Sequence, residues 1–287
     1  MAELKPYRDS YYLWKYIPST PAAALFVVLF SLGTCYIAWC IVKTRAFFCI
    51  VFTIGGLFEI VGYCARAVAK DRTEQLMPYV IQSLFILLAP ALFAASVYMV
   101  LGRLIRCLRT ESLSIVPARW LTTTFVCGDV ISFVVQGTGG GVMVTANSMK
   151  TGESIILGGL FVQIIVFGLF VVTSAIFHAR LNKRPTEPSL GKHSTWRSTM
   201  VMLYVASAFI MIRSIFRVVE YIMGNNGYPL SHEWTLYVFD AVLMLGVVSV
   251  FAWRFPGDIV PRKVQDFETV DGPMEMQGTG HDYSRTG

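Results

Sequence analysis

Seven long apolar stretches restrict what this chain can fold into. A helix crosses the hydrocarbon core of a bilayer with about 20 mostly apolar residues, because in lipid every backbone polar group has to be satisfied within the helix. The stretches that meet this length have approximate bounds of 22–42, 47–67, 78–101, 120–143, 154–177, 199–222 and 234–253. The sequence therefore predicts an all-α integral membrane protein with seven transmembrane helices.

The placement of Lys and Arg predicts how these helices are oriented. Cytoplasmic loops of membrane proteins carry an excess of these residues. Of the 24 Lys and Arg residues, 15 lie in the first, third and fifth loops and the C-terminal tail, and 6 lie in the N-terminal segment and the other loops. This bias predicts an N-terminus outside and a C-terminus in the cytosol. The net charge of +6 is thus a topology signal, and no basic face with interleaved aromatics suggests nucleic-acid binding.

Composition divides the chain into three segments. Only 15% of its 287 residues are charged, whereas soluble domains carry about 25%. The first apolar stretch has no short cationic leader and no small-residue cleavage site, so we predict a retained span and not a signal peptide. We expect an extracellular N-terminus over residues 1–21, a membrane domain over 22–254 and a cytosolic tail over 255–287. The tail is rich in Pro, Gly and acids, which predicts disorder.

Charged side chains recur inside the apolar stretches at helical spacing. Arg213, Arg217 and Glu220 have the spacing i, i+4, i+7, which places them on one helix face. A charge near a helix centre costs roughly 2.5–3.5 kcal/mol on the insertion scale, so we expect these side chains to face the bundle interior. Similar stripes, single polar positions and one loop histidine complete the candidate polar cavity: Glu59, Tyr63, Arg66, Gln82, Asp129, Gln136, Gln163, Arg213, Arg217, Glu220, His232, Glu233, Tyr237 and Asp240.

The position of these residues along their helices predicts where they meet. With the N-terminus outside, most lie in the outer halves of their helices, while Glu59 and Asp129 lie near the middle. We expect them to converge on one layer and to line a cavity open toward the outer leaflet. Three arginines meet five acids there, so at least two carboxylates are left to be protonated, solvated or available to a cationic ligand. A purely structural network that ties helices together is the alternative.

Two features of the apolar stretches allow more than one interpretation. Pro90 should kink the third helix and free a backbone carbonyl, either as a packing kink or as a hinge. The glycines in QGTGGGVM indicate either the frayed end of the fourth helix or a close approach to a ligand headgroup or a neighbouring helix.

Motifs of energy coupling and hydrolysis are missing from the sequence. It contains no GxxxxGK[ST], GxSxG or HExxH stretch, and only four histidines. A zinc hydrolase with several histidine ligands cannot be built from them. We therefore expect no enzymatic activity, no catalytic residues, no bound metal and no cofactor.

Several segments together resemble the fungal lipid-translocating exporters, also called RTA-like proteins. They follow the family order within residues 20–255, and they read EIVGYCAR, LLAPALFAASVYMVLGR, FVCGDVISFVVQGTGGG, GLFVQIIVFGLF, RSIFRVVEYIMGNNGY and PLSHEWTLYVFDAVLM. The resemblance implies seven spans with an outside N-terminus, a fungal source, and a location in the plasma membrane or another fungal endomembrane. It also implies a link to export of sphingoid long-chain bases, to resistance against amphiphilic toxins and sterol analogues, or to porphyrin import.

Two functions fit these observations. In the first, the chain translocates lipid-like amphiphiles: Asp129, Asp240 and Glu220 contact or counterbalance a cationic headgroup, and Arg213 and Arg217 hold the network. Asp240→Asn should then spare folding and impair substrate handling, whereas Arg217→Ala should damage folding. In the second, the chain is a seven-span lipid receptor or sensor whose basic third loop and tail bind cytosolic partners. The expected partners are membrane lipids and an amphipathic small molecule, with no nucleic acid.

Overall fold

The described part of the chain forms a bundle of seven long helices. The computed structural model describes residues 19–70, 76–108, 110–111, 117–145, 149–183, 196–223 and 232–259. These residues contain no strand and form seven helices long and apolar enough to cross a membrane, which confirms the predicted fold class. The helices are α1 (Thr20–Thr44), α2 (Ile50–Ala69, after a 3-10 turn at Phe47–Cys49), α3 (Leu76–Cys107), α4 (Ala118–Thr145), α5 (Met149–Lys183), α6 (Trp196–Ile222) and α7 (Glu233–Trp253).

Several helices extend beyond the apolar stretches that predicted them. α3 has 32 residues and α5 has 35, which correspond to roughly 48 and 52 Å at 1.5 Å per residue. Both lengths exceed the hydrocarbon core, which is about 30 Å thick. The surplus turns end in basic residues, Arg106 in α3 and Arg180 and Lys183 in α5. These polar ends therefore project beyond the apolar layer.

Helices that follow each other in the chain pack side by side, and α1 closes the bundle against α7. α3 is the most enclosed helix, since it contacts α2, α4 and α6. The outer surface is apolar, with Val42 73%, Leu32 65% and Ile165 60% exposed. Charged groups such as Arg66 and Asp240 lie instead at 0% and 1% exposure. This inside-out distribution is the one expected of a protein whose surface faces lipid.

Glycines let α4 and α5 approach each other closely. A Cβ on Gly139 would lie 2.9 Å from the Gly152 carbonyl oxygen, and one on Gly159 would lie 2.9 Å from that of Ser132. α4 continues as a helix to Thr145, so the glycine-rich stretch is not a frayed end. Of the interpretations left open above, close approach to a neighbouring helix holds at Gly139, whereas a Cβ would meet open space at Gly137, Gly140 and Gly141.

The two terminal segments are described only in part. The predicted extracellular segment lies outside the described residues up to residue 18, and so does the predicted tail beyond residue 259. The stretch Pro256–Ile259 forms a 3-10 turn after α7. A Cβ on Gly257 would lie 2.8 Å from Thr44 at the end of α1, and the Phe255 ring lies 6.1 Å from that of Phe251. The beginning of the segment expected to be disordered is thus packed on the bundle.

Candidate functional site

Three helices turn one polar face each toward the same part of the bundle interior. The stripes predicted from helical spacing supply these faces, and the helix order brings them together. α2 contributes Glu59, Tyr63 and Arg66; α6 contributes Arg213, Arg217 and Glu220; α7 contributes Glu233, Tyr237 and Asp240. We call this set the charge network.

Asp240 is the centre of the charge network. One of its carboxylate oxygens accepts a hydrogen bond from Nε of Arg213, and the other accepts one from Nη2 of Arg217. Arg217 also donates through Nη1 to Oε2 of Glu220 at 3.0 Å. Charge-assisted bonds of this kind are roughly twice as strong as neutral ones. Asp240 is therefore held by two arginines, which does not fit the expectation that its removal spares folding.

A break in the hydrogen bonding of α3 supplies a further acceptor. Pro90 has no N–H, so the Ile86 carbonyl four residues earlier loses its helical partner. Nη2 of Arg213 donates to this carbonyl at 2.9 Å. The freed carbonyl expected from the sequence is thus used by the charge network, and α3 remains helical through Pro90.

The segment of α7 that carries Asp240 is a π turn, Tyr237–Val242. Turns of this type are rare inside helices and occur often at functional sites. Asp240 therefore lies in a widened turn of α7, opposite the arginines of α6.

Arg66 joins the ends of three helices. Its Nη2 donates to Oε1 of Glu233 at 2.8 Å and its Nε to the Tyr237 hydroxyl at 3.1 Å. The backbone N–H of Ser19, the residue that caps α1, also donates to Glu233 Oε1 at 2.8 Å. The ring of Tyr237, which takes part in this junction, stacks on that of Phe26 with 5.4 Å between the ring centroids. The starts of α1 and α7 are thereby fixed to the end of α2.

Glu59 and Tyr63 belong to this region without taking part in its ion pairs. Glu59 is 0% exposed, and neither of its oxygens has a hydrogen-bond partner among the described residues. Within the same part of the chain, the buried Tyr63 hydroxyl also lacks a partner. Glu59 lies within electrostatic range of Asp240, Arg213 and Arg217. It is thus a buried carboxyl group beside a network whose pairs are formed by other residues.

Asp129 lies against α3, apart from the ion pairs of the charge network. Its Oδ2 accepts a hydrogen bond from the Tyr98 hydroxyl at 2.9 Å, and its Oδ1 has no partner in the described structure. The expectation of a single layer stays a prediction for Asp129.

The remaining predicted residues are distributed around these two centres. Nε2 of Gln136 donates to Oε1 of Gln163 at 3.1 Å and ties α4 to α5. Gln82 is buried on α3, and its Oε1 has no hydrogen-bond partner among the described residues. His232 is exposed at the start of α7, where its carbonyl accepts from Thr235 Oγ1 at 2.7 Å. In the described ranges, no group of three or more His, Cys, Asp and Glu side chains is placed to hold a metal ion.

Sequence reasoning missed two groups that the structure places in contact with predicted residues. They are the Tyr98 hydroxyl and the backbone of Ser19. The sequence predicted a freed carbonyl four residues before Pro90, but not its partner Arg213. Tyr98 is a polar aromatic residue in an apolar helix, which is a usable signal, since a buried tyrosine hydroxyl usually finds a partner. Nothing in the local sequence marks Ser19 as a partner of Glu233.

Fold and site together define a class: a seven-helix membrane protein with a network of buried arginines and carboxylates between α2, α6 and α7. A family model described as "RTA1 like protein" matches residues 52–263. The chain belongs to this family, as its sequence motifs predicted. No solved structure matches it.

Relatives of this chain occur in fungi. The chain is 37% identical to "Protein RTA1" of Saccharomyces cerevisiae, over 96% of this chain and 94% of the relative. It is 45% identical to "Protoporphyrin uptake protein 1" of the same species, over 71% of this chain and 67% of the relative. A more distant relative, 25% identical over 82% of this chain and 70% of its own length, is "Sphingoid long-chain base transporter RSB1" of the same species. The relatives thus include one protein named as a transporter of sphingoid long-chain bases and one named for protoporphyrin uptake.

Proposed function

We propose that this protein moves lipid-like amphiphiles across a fungal membrane, with sphingoid long-chain bases and sterol-like or toxic amphipathic compounds as the substrate class. In this proposal, transport removes such compounds from the cell and confers resistance to them, and the protein works in the plasma membrane. The observation that carries the proposal is the set of buried polar groups inside an otherwise apolar bundle. Ionisable residues within membrane helices mark substrate or ion pathways by default.

The contact with a cationic headgroup is assigned first to Asp129. Its Oδ1 lacks a partner among the described residues, so it has an acceptor to offer. The ring of its partner Tyr98 lies 4.5 Å from that of Phe170 and 5.5 Å from that of Phe125. Aromatic faces and a carboxylate both attract organic ammonium groups. Asp240 and Glu220 counterbalance the arginines in this scheme, and the apolar helix surfaces suit the hydrocarbon tail.

Leaflet exchange in reconstituted vesicles tests this function. The purified protein is placed in lipid vesicles with a fluorescent sphingoid base, and exchange between leaflets is followed over time. Asp129→Asn keeps an acceptor for Tyr98 but removes the negative charge. Because a hydrogen bond to a charged group contributes about 1.5–3 kcal/mol, we expect exchange to fall by about tenfold or more. Glu111→Gln, which removes an exposed carboxylate outside the membrane helices, is the matched control and should exchange like the wild type.

Exchange no faster than in empty vesicles, while the labelled base still binds to the protein, would contradict transport and favour the receptor or sensor function. Equal exchange in wild type and in a folded Asp129→Asn variant would instead keep the transport function and remove Asp129 from the headgroup site.

A further inference from the structure

Glu59 has an environment that the transport proposal does not use. It lies on the second of the seven helices, level with the break at Pro90, because Gly55 and Gly62 on either side of it pack against Ala89 and Ile86 of α3. Its side chain is fully buried, and its two oxygens lack hydrogen-bond partners in the described chain. Burying an ionised carboxylate in such surroundings is strongly unfavourable unless it is paired. The surroundings therefore favour a state of Glu59 without charge.

The charge balance of its neighbours supports the same conclusion. The three arginines of the charge network are matched by three of its four carboxyl groups, and Glu59 is the fourth. The paired groups are Arg66 with Glu233, and Arg213 and Arg217 with Asp240 and Glu220. An ionised Glu59 would add one uncompensated negative charge to this neutral set, and a bound proton removes it.

The ionisable groups that act on Glu59 within the described part of the chain come from three helices. On its own helix these are Tyr63 and Arg66, and across the interior they are Arg213, Arg217 and Asp240. The neighbouring stretch of α3 from Gln82 to Pro90 has no ionisable side chain, and α1 presents Thr34 against Gly56. Asp240 opposes a charge on Glu59, whereas the two arginines of α6 attract it. Those arginines are also the groups that hold Asp240 and the Ile86 carbonyl.

We propose that Glu59 is a reversible proton-binding site that controls the junction between α2, α3, α6 and α7, whatever molecule the protein transports. With the proton bound, Arg213 stays on Asp240 and the Ile86 carbonyl. When the proton leaves to water, the new carboxylate competes with both acceptors for Arg213 and Arg217. The two competing acceptors are the Ile86 carbonyl, freed by Pro90 in α3, and Asp240, which lies in the π turn of α7. At both places the helix departs from regular α-helical hydrogen bonding. Loss of the proton from Glu59 thereby changes the hydrogen bonds that Arg213 and Arg217 make to α3 and α7.

The polar face of α2 gives the proton a way to solvent. Tyr63 follows Glu59 by one turn, with a hydroxyl that has no partner in the described ranges. At the end of α2 the Glu233 carboxylate, which can accept a proton, is 20% exposed, whereas Arg66 beside it stays charged and does not relay the proton. The exchange is a simple equilibrium in which the carboxylic O–H bond breaks and the proton passes along this face to water.

Infrared difference spectroscopy on the full-length protein in lipid nanodiscs tests this site without any transport assay. The method separates the carbonyl stretch of a protonated carboxylic acid from the bands of a carboxylate. We expect the wild type to show a buried carboxylic-acid band that is lost as the pH is raised, and Glu59→Gln to lack that band. Asp129→Asn is the matched control, because it removes a second buried carboxyl group that forms no ion pair among the described residues, and it should keep the Glu59 band.

Thermal unfolding gives a second and independent measure. Glu59→Gln imitates the protonated acid, so its thermal midpoint should equal that of the wild type at low pH. Because the proton binds to the folded protein, the wild-type midpoint should fall relative to that of Glu59→Gln as the pH rises. If the Gln variant does not accumulate as folded protein, Glu59→Asp is used, and its acid band should move in frequency.

Three results would overturn the proposal. The first is a full acid band that persists in Glu59→Gln. The second is a carboxylate signal from Glu59 at every pH at which the protein is folded. The third is a sodium-dependent rise of the thermal midpoint that Glu59→Gln abolishes, since it would assign the site to a metal cation. None of these results depends on whether sphingoid bases cross the vesicle membrane, so this test and that of the proposed function can fail separately.

Discussion

Asp240 illustrates how one side chain can organise the interior of a membrane bundle. It accepts from two arginines of α6 while it is itself 1% exposed. Asp240→Asn would leave the buried Arg213 without its carboxylate and the partly exposed Arg217 with Glu220 alone, and breaking a buried pair costs about 3–5 kcal/mol. We therefore expect a marked fall in the thermal midpoint of the purified protein in nanodiscs, and a lower yield of folded protein.

Asp129→Asn is the matched control for this substitution. It changes a carboxylate to an amide on α4, but the amide oxygen can still accept the Tyr98 hydroxyl, and no described arginine is stranded. The free energy of unfolding of Asp129→Asn should differ from that of the wild type by no more than about 1 kcal/mol, so its thermal midpoint should stay close to the wild-type value. Equal midpoints for the two variants would show that Asp240 does not hold the network, and would restore the view that it is a spare carboxylate.

The residues of the charge network could be predicted from the sequence, but their pairing could not. Spacing alone placed Arg213, Arg217 and Glu220 on one face, because helical periodicity is a local property. Which acid meets which arginine depends on the order of helices around the bundle and on a π turn that has no local signature. The sequence therefore assigned Asp240 to the headgroup, although the structure places it between two arginines.

At the scale of the helix, Pro90 connects the backbone of α3 to the charge network. Pro90→Ala would restore an N–H that competes with Arg213 for the Ile86 carbonyl. Alanine is about 3 kcal/mol more favourable than proline inside a helix, so we expect an unchanged or higher thermal midpoint. If the break is a hinge, as its contact with Arg213 suggests, leaflet exchange of the sphingoid base should fall at the same time.

Pro78→Ala provides the control for Pro90→Ala. Pro78 lies in the first turn of α3, where a backbone N–H has no helical acceptor in any case. This variant should leave both the midpoint and the exchange rate near those of the wild type. Exchange by Pro90→Ala as fast as in the wild type would assign Pro90 to packing alone.

Two adjacent glycines of α5 at its contact with α4, Gly158 and Gly159, provide a prediction and its control. A Cβ on Gly159 would lie 2.9 Å from the Ser132 carbonyl oxygen and 2.7 Å from Gln136 Cγ, whereas a Cβ on Gly158 would meet open space. Overpacking of this kind costs about 1–3 kcal/mol, while Gly→Ala in an open helix gains up to about 1 kcal/mol. Gly159→Ala should therefore lower the thermal midpoint, and Gly158→Ala should keep or raise it.

The opposite order of midpoints would show that the helices pack differently at this contact. The sequence alone could not separate these two adjacent glycines, because both occur in the same apolar stretch and only the rotation of α5 against α4 distinguishes them. The existence of the helix, by contrast, followed directly from the length of that stretch.

For the whole molecule, the number of helices was predictable because each apolar stretch is long enough to span the bilayer on its own. The vertical arrangement of the polar groups was less so. Residue positions within each helix suggested one layer, but they did not show that α3 meets Arg213 at the Ile86 carbonyl and Asp129 at the Tyr98 hydroxyl. Helix offsets and tilts decide such contacts, and neither is encoded in a local pattern.

Orientation in the membrane decides which leaflet the charge network faces. The excess of Lys and Arg, 15 against 6, predicts an outside N-terminus and a cytosolic C-terminus. In sealed vesicles with their cytosolic face outward, protease should then remove an epitope tag placed after Gly287 without detergent. A tag placed before Met1 in a second variant should be cut only after detergent is added.

The same experiment assigns the direction from which a headgroup reaches the site. Arg66 lies near the end of α2 and Glu233 at the start of α7, so their junction lies toward the outer leaflet if the N-terminus is outside. Protection of the C-terminal tag together with cleavage of the N-terminal one would contradict the prediction. It would turn the charge network toward the cytosol, and a headgroup from the cytosolic leaflet would then meet the arginines before it met Asp129.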